Sequence, residues 1–260
     1  MGPQSMALDC NQLLSLTADM GCRLMASGAE IYRVEESMQR LLKAYGMEGA
    51  EVFAIPSCII VSATAPGGEA ITRMQRIGAH GTDLELLERC NELCRRLCYE
   101  TPPPEEARRM LGEITAGRRT FSAGLNLLGY GISPAFFAPL FGGDVRDMFC
   151  ALLTGLLVGL TQIYGGRLIG SNSFFRTAVS SAAASLFSIA LVKIGLGSSI
   201  DTITISALMM LVPGVAVTNA MREIMAGDTI SALSHTADAI LIGVAIALGS
   251  AVGIAVMRSF

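Results

Sequence analysis

Residues 203–238 read ITISALMMLVPGVAVTNAMREIMAGDTISALSHTAD, and this stretch decides the architecture of the chain. An apolar run of hydrocarbon length is interrupted by Pro213 and Gly214 and then gives way to polar and charged residues. Because proline lacks a backbone N–H and clashes with the carbonyl four residues earlier, a helix is expected to kink or unwind here. In a bilayer, broken helices with polar neighbours often mark transporter substrate sites. A packing kink followed by an ordinary polar helix exit is the alternative.

Composition separates this apolar stretch from the beginning of the chain. The 260 residues are 52% hydrophobic and 16% charged, with a mean hydropathy of +0.52. The first 119 residues hold 29 of the 41 charged residues. We therefore expect a soluble domain over residues 1–119 and a membrane domain over residues 120–260. The net charge of −3 argues against nucleic acid as a partner, because phosphate binding needs clustered positive charge.

The N-terminal sequence predicts one long amphipathic helix. Apolar residues recur at three- and four-residue steps over Ala7–Tyr45, with one interruption at Ser27-Gly28. A polar stripe beside them includes Arg23, Glu30 and Arg33, and it forms either a solvated face or a charged network that docks the helix. The first residues show no secretory signal pattern, and seven cysteines fit a reducing compartment. The soluble domain is therefore expected in the cytoplasm.

After Gly46 the pattern changes to β-rich runs and then returns to helices. Three runs predict a small antiparallel meander: Glu51–Ile55, Cys58–Ala65 and Ala70–Ile77. Asp83 is predicted to cap a helix that continues to Tyr99, and Pro104 starts another helix. Three cysteines share one face of the first of these helices, at positions 90, 94 and 98. Structural zinc needs four ligands, so buried thiol packing is preferred and no metal is expected.

An enzymatic alternative belongs to the same region. Ser57 or Cys58 would act as a nucleophile, with His80 as the base and Asp83 as the orienting group. No nucleophile signature surrounds either candidate. We therefore expect no enzyme and no catalytic residue, and a membrane-tethered hydrolase-like or regulatory domain is the alternative function.

Five apolar segments follow, each long enough to cross about 30 Å of hydrocarbon as a helix. They are Phe121–Phe141, Met148–Tyr164, Thr177–Leu196, Ile203–Asn219 and Ala237–Met257. Four arginines border one end of the first three segments, at positions 118, 119, 167 and 176. This excess places the soluble domain inside the cell and the C-terminus outside. The predicted fold is a mainly α polytopic membrane protein, with five transmembrane helices after a small α+β cytoplasmic domain.

Small and polar residues inside these segments predict how the helices pack and work. The pairs Gly155/Gly159 and Gly249/Gly253 allow close helix contact, within the chain or with another subunit. Asn219 and Arg222 follow the helix break, and the planar fork of arginine matches a carboxylate, so we expect them to bind or gate an anionic substrate. Asp238 is a candidate for proton coupling, because ionisable residues in membrane segments usually serve a pathway. An interfacial anchor is the alternative for Asn219 and Arg222, and a helix-end charge is the alternative for Asp238.

Short motifs along the chain resemble the threonine/serine exporters, in particular the larger subunit of their two-component form. They are Ser27-Gly28-Ala29-Glu30 with Arg33-Val34-Glu35, Phe141-Gly142-Gly143-Asp144, and Pro213-Gly214 with Asn219, Arg222 and Gly227-Asp228. The resemblance covers nearly the whole chain. It implies gradient-driven export of threonine, serine or related carboxylates such as dicarboxylates across the inner membrane. It also implies a small multispanning membrane subunit that supplies a second module, and self-association is compatible with it.

The candidate residues fall into three groups. The substrate-binding or gating group is Asn126, Pro213, Gly214, Asn219 and Arg222, the proton-coupling group is Asp238 and Asp228, and the cytoplasmic helix network is Arg23, Glu30, Arg33 and Glu35. Asp228 has a second interpretation as a helix N-cap after Gly227. No cofactor is expected, and the absence of a phosphate-binding loop pattern argues against direct ATP drive.

Overall fold

The computed structural model describes residues 9–78, 81–118, 120–167 and 172–258. Its elements are α1 (Cys10–Ala26), α2 (Ile31–Ala44), β1 (Glu48–Ile55), β2 (Cys58–Thr64), β3 (Ala70–Arg76), α3 (Leu84–Glu100), α4 (Pro104–Ala116), α5 (Ala123–Leu140), α6 (Val145–Tyr164), α7 (Ser173–Lys193), α8 (Ile200–Leu208), α9 (Gly214–Ala226) and α10 (Thr229–Arg258), with single 3-10 turns at Gly165–Arg167 and Met209–Leu211.

The chain forms two compact units. The first unit contains the described part of residues 1–119 together with Val215–Thr236, and the second contains Thr120–Gly214 and the described residues from Ala237 onward. The sequence-based division after residue 119 did not anticipate that residues 215–236 pack with the N-terminal part. The reason is that a return of this kind depends on contacts between residues far apart in sequence.

The N-terminal helix is two helices, so the prediction of one helix over Ala7–Tyr45 is wrong. α1 ends at Ala26 and α2 starts at Ile31. Gly28 between them has φ +94°, a left-handed conformation that glycine adopts without a steric penalty. The apolar period continues across the break because both helices turn their apolar faces into the same core. Ala7 lies outside the described residues.

The sheet of the first unit confirms the predicted meander. β1 pairs with β2 and β2 with β3, both antiparallel, with Val52 opposite Val61 and Val61 opposite Arg73. Alternate residues of β2, such as Ile59 and Val61, are fully buried. One face of the sheet therefore covers the helices of the first unit.

The helices that follow the sheet begin where the sequence predicts. The Asp83 side chain accepts a hydrogen bond from Leu86 N at 3.0 Å and caps α3, and Pro104 occupies the first turn of α4. Cys90 and Cys94 are buried in the core, as the packing interpretation expects. Large apolar side chains fill this core, including Leu13, Leu16, Met20, Ile31, Met38 and Leu41.

Small and hydroxylated residues fill the interior of the second unit. On α7 the buried residues include Thr177, Ser180, Ser181, Ser185 and Ser188. The Ser181 hydroxyl donates to Ile246 O of α10 at 2.7 Å and lies 2.7 Å from Ser250 Oγ. At the opposite end of the helices, the buried Asp147 carboxylate of α6 accepts from the backbone N–H groups of Ser198 and Ser199 at 2.8 and 3.0 Å.

The glycine pairs predicted from sequence make contacts inside the chain. A Cβ added to Gly249 would lie 2.1 Å from Ala178 O of α7, and one added to Gly155 would lie 2.2 Å from Tyr130 O of α5. Of the two alternatives, contact within the chain is the one that the structure shows, because Gly249 and Gly253 pack α10 on α7. By contrast, a Cβ at Gly243 would meet nothing within 4 Å.

Three helices in the described residues are long and apolar enough to cross a membrane: α6, α7 and Thr229–Val256 of α10. The broken pair Ile200–Leu211 and Gly214–Ala226 makes a fourth if it counts as one span. α5 has 18 residues but contains Pro134 and Pro139 and does not join this set. The count of five spans is thus not confirmed, although a mainly helical fold with membrane-length helices is.

The predicted break in the fourth segment is confirmed. Helix ends at Leu211, Val212 is extended, and α9 starts at Gly214 directly after Pro213. The segment expected as a single span over Ile203–Asn219 therefore consists of two pieces. α9 continues to Ala226, and Gly227 then adopts φ +85° before α10 starts.

Candidate functional site

The polar face of α9 meets the turn between α1 and α2 inside the first unit. Asn219 is 6% exposed, and its side-chain N–H donates to the carbonyl of Gly28 at 3.4 Å. The left-handed turn at Gly28 is packed closely, since a Cβ there would lie 3.2 Å from Gly81 O. The Gly81 N–H donates to Ala26 O at 3.1 Å, which holds the turn from the other side. The site is therefore built on backbone with a defined conformation.

Glu30 is a buried carboxylate held by two arginines. Its side chain is 8% exposed, while those of Arg222 and Arg33 are 56% and 68% exposed. Arg222 pairs with Glu30 Oε1, and Arg33 Nε lies 2.6 Å from Oε2. Both guanidiniums thus reach from the surface to one buried acid. Such pairing is needed, because an unpaired buried carboxylate is strongly destabilising.

Glu223 is fully buried on the same face of α9 as Asn219. Its Oε1 accepts from the backbone N–H of Ile31 at 3.5 Å and lies 3.5 Å from His235 Nε2. Ile31 is the first residue of α2, and Glu30, at the N-cap position, makes no capping hydrogen bond. Glu223 therefore places a carboxyl oxygen at the N-terminal end of α2 from a distant part of the sequence. Its Oε2 has no hydrogen-bond partner among the described residues.

Two further carboxylates of the candidate set are used in local structure. Asp228 Oδ1 accepts from Ser231 N at 3.1 Å, so this residue caps α10. Glu35 Oε1 accepts from Ala54 N of the edge strand β1 at 2.7 Å. Burial raises the pKa of Glu35, and the charge of Asp228 raises it further, while the bond from Ala54 lowers it. The surroundings of α9 are thus rich in acids.

The structure does not bring all the candidate residues together. Arg23 is exposed and lines a cavity with Asp19 and Arg108, apart from Glu30 and Arg33. Asn126 and Asp238 belong to the second unit and are both exposed. Pro213 and Gly214 form the helix break itself.

Sequence analysis missed Glu223 and His235 as members of the site. The available signal was spacing, because Asn219 and Glu223 are four residues apart and so share one helix face. An acidic side chain on the buried face of a helix needs a hydrogen-bonding or charged partner, whereas one at an exposed helix end does not.

The hydrolase alternative gains no support from Asp83. Its carboxylate caps α3 and pairs with Arg118, and the cap bond from Leu86 N is the largest cause that lowers its pKa. His80, the base in that alternative, lies outside the described residues. Within the described part of the chain, no group of three or more His, Cys, Asp or Glu residues could hold a metal ion. Burial also raises the pKa of the Cys90 thiol to about 11, so it stays protonated.

Comparison with known proteins gives a consistent result. A family model for threonine/serine exporters matches residues 15–257. A "Threonine/serine exporter" of Corynebacterium glutamicum is 23% identical over 250 residues, which cover 93% of this chain and 50% of that protein. The "Pheromone-regulated membrane protein 10" of Eremothecium gossypii is 25% identical over 241 residues, covering 89% of this chain and 31% of that protein.

A "Probable threonine/serine exporter" of Mycobacterium tuberculosis is 22% identical over 244 residues, covering 93% of this chain and 46% of that protein. The chain thus spans half or less of the length of these curated relatives. No solved structure matches it. Since the family model covers nearly all of the sequence, and since the chain contains helices of membrane length, the chain belongs to the threonine/serine exporter family of membrane transporters.

Proposed function

We propose that this chain is the larger part of a secondary exporter that moves threonine, serine or a related small carboxylate out of the cell, driven by an ion or proton gradient. The observation that carries the proposal is the ion pair between Arg222 and the buried Glu30, directly beyond the helix break. The fork of a guanidinium matches a carboxylate, and discontinuous helices often border the substrate sites of transporters.

The pair supports exchange of one carboxylate for another. Arg222 is more than half exposed, so a substrate carboxylate reaches it from solvent. Glu30 keeps its contact with Arg33 when Arg222 leaves, and its buried charge stays compensated. The Asn219 amide, one helical turn before, supplies a second donor after it releases Gly28 O. The chain's own Glu30 thus occupies the place that the substrate would take.

Coupling to the gradient is assigned to Asp238. It is the single acidic residue of α10, and an ionisable residue in an apolar segment is expensive unless it has a function. Asp228, the other coupling candidate, uses its carboxylate to cap α10. We assign Asp228 to the capping of α10 and Asp238 to proton coupling.

Orientation follows from the charges at the helix ends. Arg118 precedes α5 and Arg176 lies in the first turns of α7, whereas Asp144, Asp147 and Asp201 lie at the opposite ends of these helices. We therefore propose that the first unit, α9 included, is cytoplasmic, that the membrane is the inner membrane, and that α5 and the α8 part of the broken segment complete five crossings.

A second membrane module completes the transport unit in this proposal. Only 17% of the apolar window of α10 is buried, against 39% and 44% for α6 and α7. The curated exporters that the chain matches are about twice its length. A small multispanning subunit, or further copies of the chain, would cover this surface of α10.

The test is counterflow of labelled threonine in vesicles that contain the chain with and without its membrane partner. Arg222→Gln is expected to reduce counterflow by roughly a hundredfold, since a charge-assisted pair contributes about 1.5–3 kcal/mol. Arg40→Gln is the matched control, because Arg40 forms an exposed pair with Glu36 on α2. Asp238→Asn is expected to abolish gradient-driven export while exchange continues.

Membrane abundance must be equal in all variants. Counterflow at the wild-type rate in Arg222→Gln removes the ion pair from the mechanism. Full export by the isolated chain defeats the proposed second module.

A further inference from the structure

A cavity of about 350 Å³ opens between α1 and α4 in the first unit and shares no lining residue with the α9 site. Its lining residues are Asp19, Arg23, Arg108, Leu111, Gly112, Thr115 and Ala116. The volume lies within the usual range of ~300–1,000 Å³ for small-ligand pockets. Gly112 adds no side chain to the wall, and a Cβ there would meet nothing within 4 Å. The cavity therefore has room for a compact ligand.

A fixed carboxylate stands at the polar end of this cavity. Asp19 Oδ1 accepts from Gln75 Nε2 of β3 at 2.8 Å, which holds the side chain in place. Asp19 Oδ2 lies 4.0 Å from Arg108 Nη2, beyond hydrogen-bond distance. Oδ2 thus remains available to a cationic donor on a ligand.

An arginine stands one helical turn further along the same wall. Arg23 follows Asp19 by four residues on α1, and its guanidinium forms no ion pair within 4.0 Å with any acid in the described ranges. A guanidinium presents several donors in a fixed fork that fits a carboxylate. Arg23 and Arg108 therefore attract a carboxylate to a place next to the Asp19 carboxylate.

We propose that this cavity binds a free α-amino acid with a small side chain, its ammonium on Asp19 and its carboxylate on Arg23 and Arg108. A simple anion would meet repulsion from Asp19, and a simple cation would meet repulsion from the two arginines. A zwitterion satisfies both charges at once, and Leu111 and Ala116 contact its short side chain. The site is distinct from the Arg222 site. A role of this cavity as a sensor of the exporter's own substrate rests on the proposed function, whereas the binding of an amino acid does not.

The chain contains no tryptophan, which permits a local test. Ala116→Trp places a single fluorescent reporter at the cavity wall, and the full-length chain in detergent is titrated with L-threonine. Calorimetry on the unmodified chain gives the Kd that the reporter variant must reproduce. A saturable emission shift is expected. Asp19→Asn and Arg23→Gln, each in the reporter background, are expected to raise the Kd roughly tenfold or more. Arg109→Gln is the matched control, because Arg109 pairs with Glu106 and Glu113 outside the cavity and should leave the Kd unchanged.

Ligand analogues separate the two charges. Threonine methyl ester lacks the carboxylate and 2,3-dihydroxybutyrate lacks the ammonium, so neither should saturate the shift. Equal binding of 2,3-dihydroxybutyrate overturns the proposal in favour of a plain anion site. No saturable shift, together with no calorimetric difference between the unmodified chain and Arg23→Gln, also overturns it. Counterflow on the same preparations separates the hypotheses: binding without counterflow defeats only the export proposal, and counterflow without binding defeats only this one.

Discussion

The two units of the chain differ in the size and polarity of the side chains that they bury. In the first unit the interior holds large apolar side chains such as Leu16 and Met38, which are fully buried. In the second unit many buried positions hold alanine, glycine, serine or threonine beside a few larger residues such as Leu191 and Ile203, while Phe136, Phe149 and Phe175 are exposed. The first arrangement is driven by removal of apolar surface from water. The second is the arrangement of helices in lipid, where large apolar side chains face the acyl chains of the lipid and small residues permit close contact between helices.

The largest effect is expected from a cavity in the first unit. Leu16→Ala removes a fully buried side chain and should lower the free energy of unfolding of this unit by about 2–5 kcal/mol. Phe149→Ala is the control, because Phe149 of α6 is 55% exposed and its removal should change stability by less than about 0.5 kcal/mol. Denaturant-dependent alkylation measures the opening of each unit, at the buried Cys90 in the first unit and at the buried Cys150 in the second. Equal losses in both variants would break the distinction between the units.

The second unit should be sensitive to added volume instead. Gly249→Leu forces α10 away from Ala178 of α7, and overpacking of this kind costs about 1–3 kcal/mol. Gly243→Leu is the matched control, because leucine there faces open space and is compatible with lipid. Thermal melting in detergent and resistance to protease measure the difference. A stable, monodisperse Gly249→Leu variant that only loses a partner subunit would show that this glycine belongs to an interface.

A helix cap in the water-exposed unit gives a smaller, pH-dependent effect. Asp83→Ala removes the acceptor of the Leu86 N–H and should cost about 1 kcal/mol. The bond from Leu86 and the contact with Arg118 lower the pKa of Asp83. The contribution is therefore present above the ordinary aspartate value of ~3.9 and disappears as the pH falls through the lower folded value. Melting temperatures of wild type and variant should converge at acid pH, and a constant gap would contradict the cap.

The smallest effect is expected from a hydroxyl between helices in the second unit. Ser181→Ala removes the bonds to Ile246 O and Ser250 and should cost about 0.6 kcal/mol, the average for such bonds in membrane helices. Ser188→Ala is the control, because its hydroxyl bonds to Ala184 O within α7. Refolding equilibria in mixed micelles measure the difference in the free energy of unfolding between the two variants. A larger loss in Ser188→Ala would place the critical hydroxyl elsewhere on the helix.

Local signals explain why much of the fold could be predicted from sequence. Asp83 caps α3 and Pro104 starts α4 through bonds made within a few residues, and the alternation of β2 depends only on its two faces. The break at Pro213 is a property of proline itself. The turn at Gly28 was missed because the apolar period alone continues through it.

The candidate site was predictable in its chemistry but not in its pairings. Arg222 and Glu30 were each recognisable as functional candidates, yet they lie 192 residues apart in sequence and nothing local joins them. Glu223 was not among the predicted site residues, although its carboxylate reaches Ile31 N across the same distance in sequence. Arg23 was grouped with Glu30 by helical spacing, which assumed a continuous helix across the turn.

The hydroxyl-rich interior of α7 has a consequence for the biosynthesis of the chain. α6 and α7 are less apolar than α10, so we expect them to partition from the translocon into lipid less favourably. The Ser181 hydroxyl finds its acceptor on α10, which is synthesised after α7. Until α10 emerges, this hydroxyl lacks the acceptor that it has in the folded chain, and we expect the incomplete chain to be less stable. Truncation before α10 should therefore shorten the lifetime of the inserted chain more than removal of any water-exposed helix.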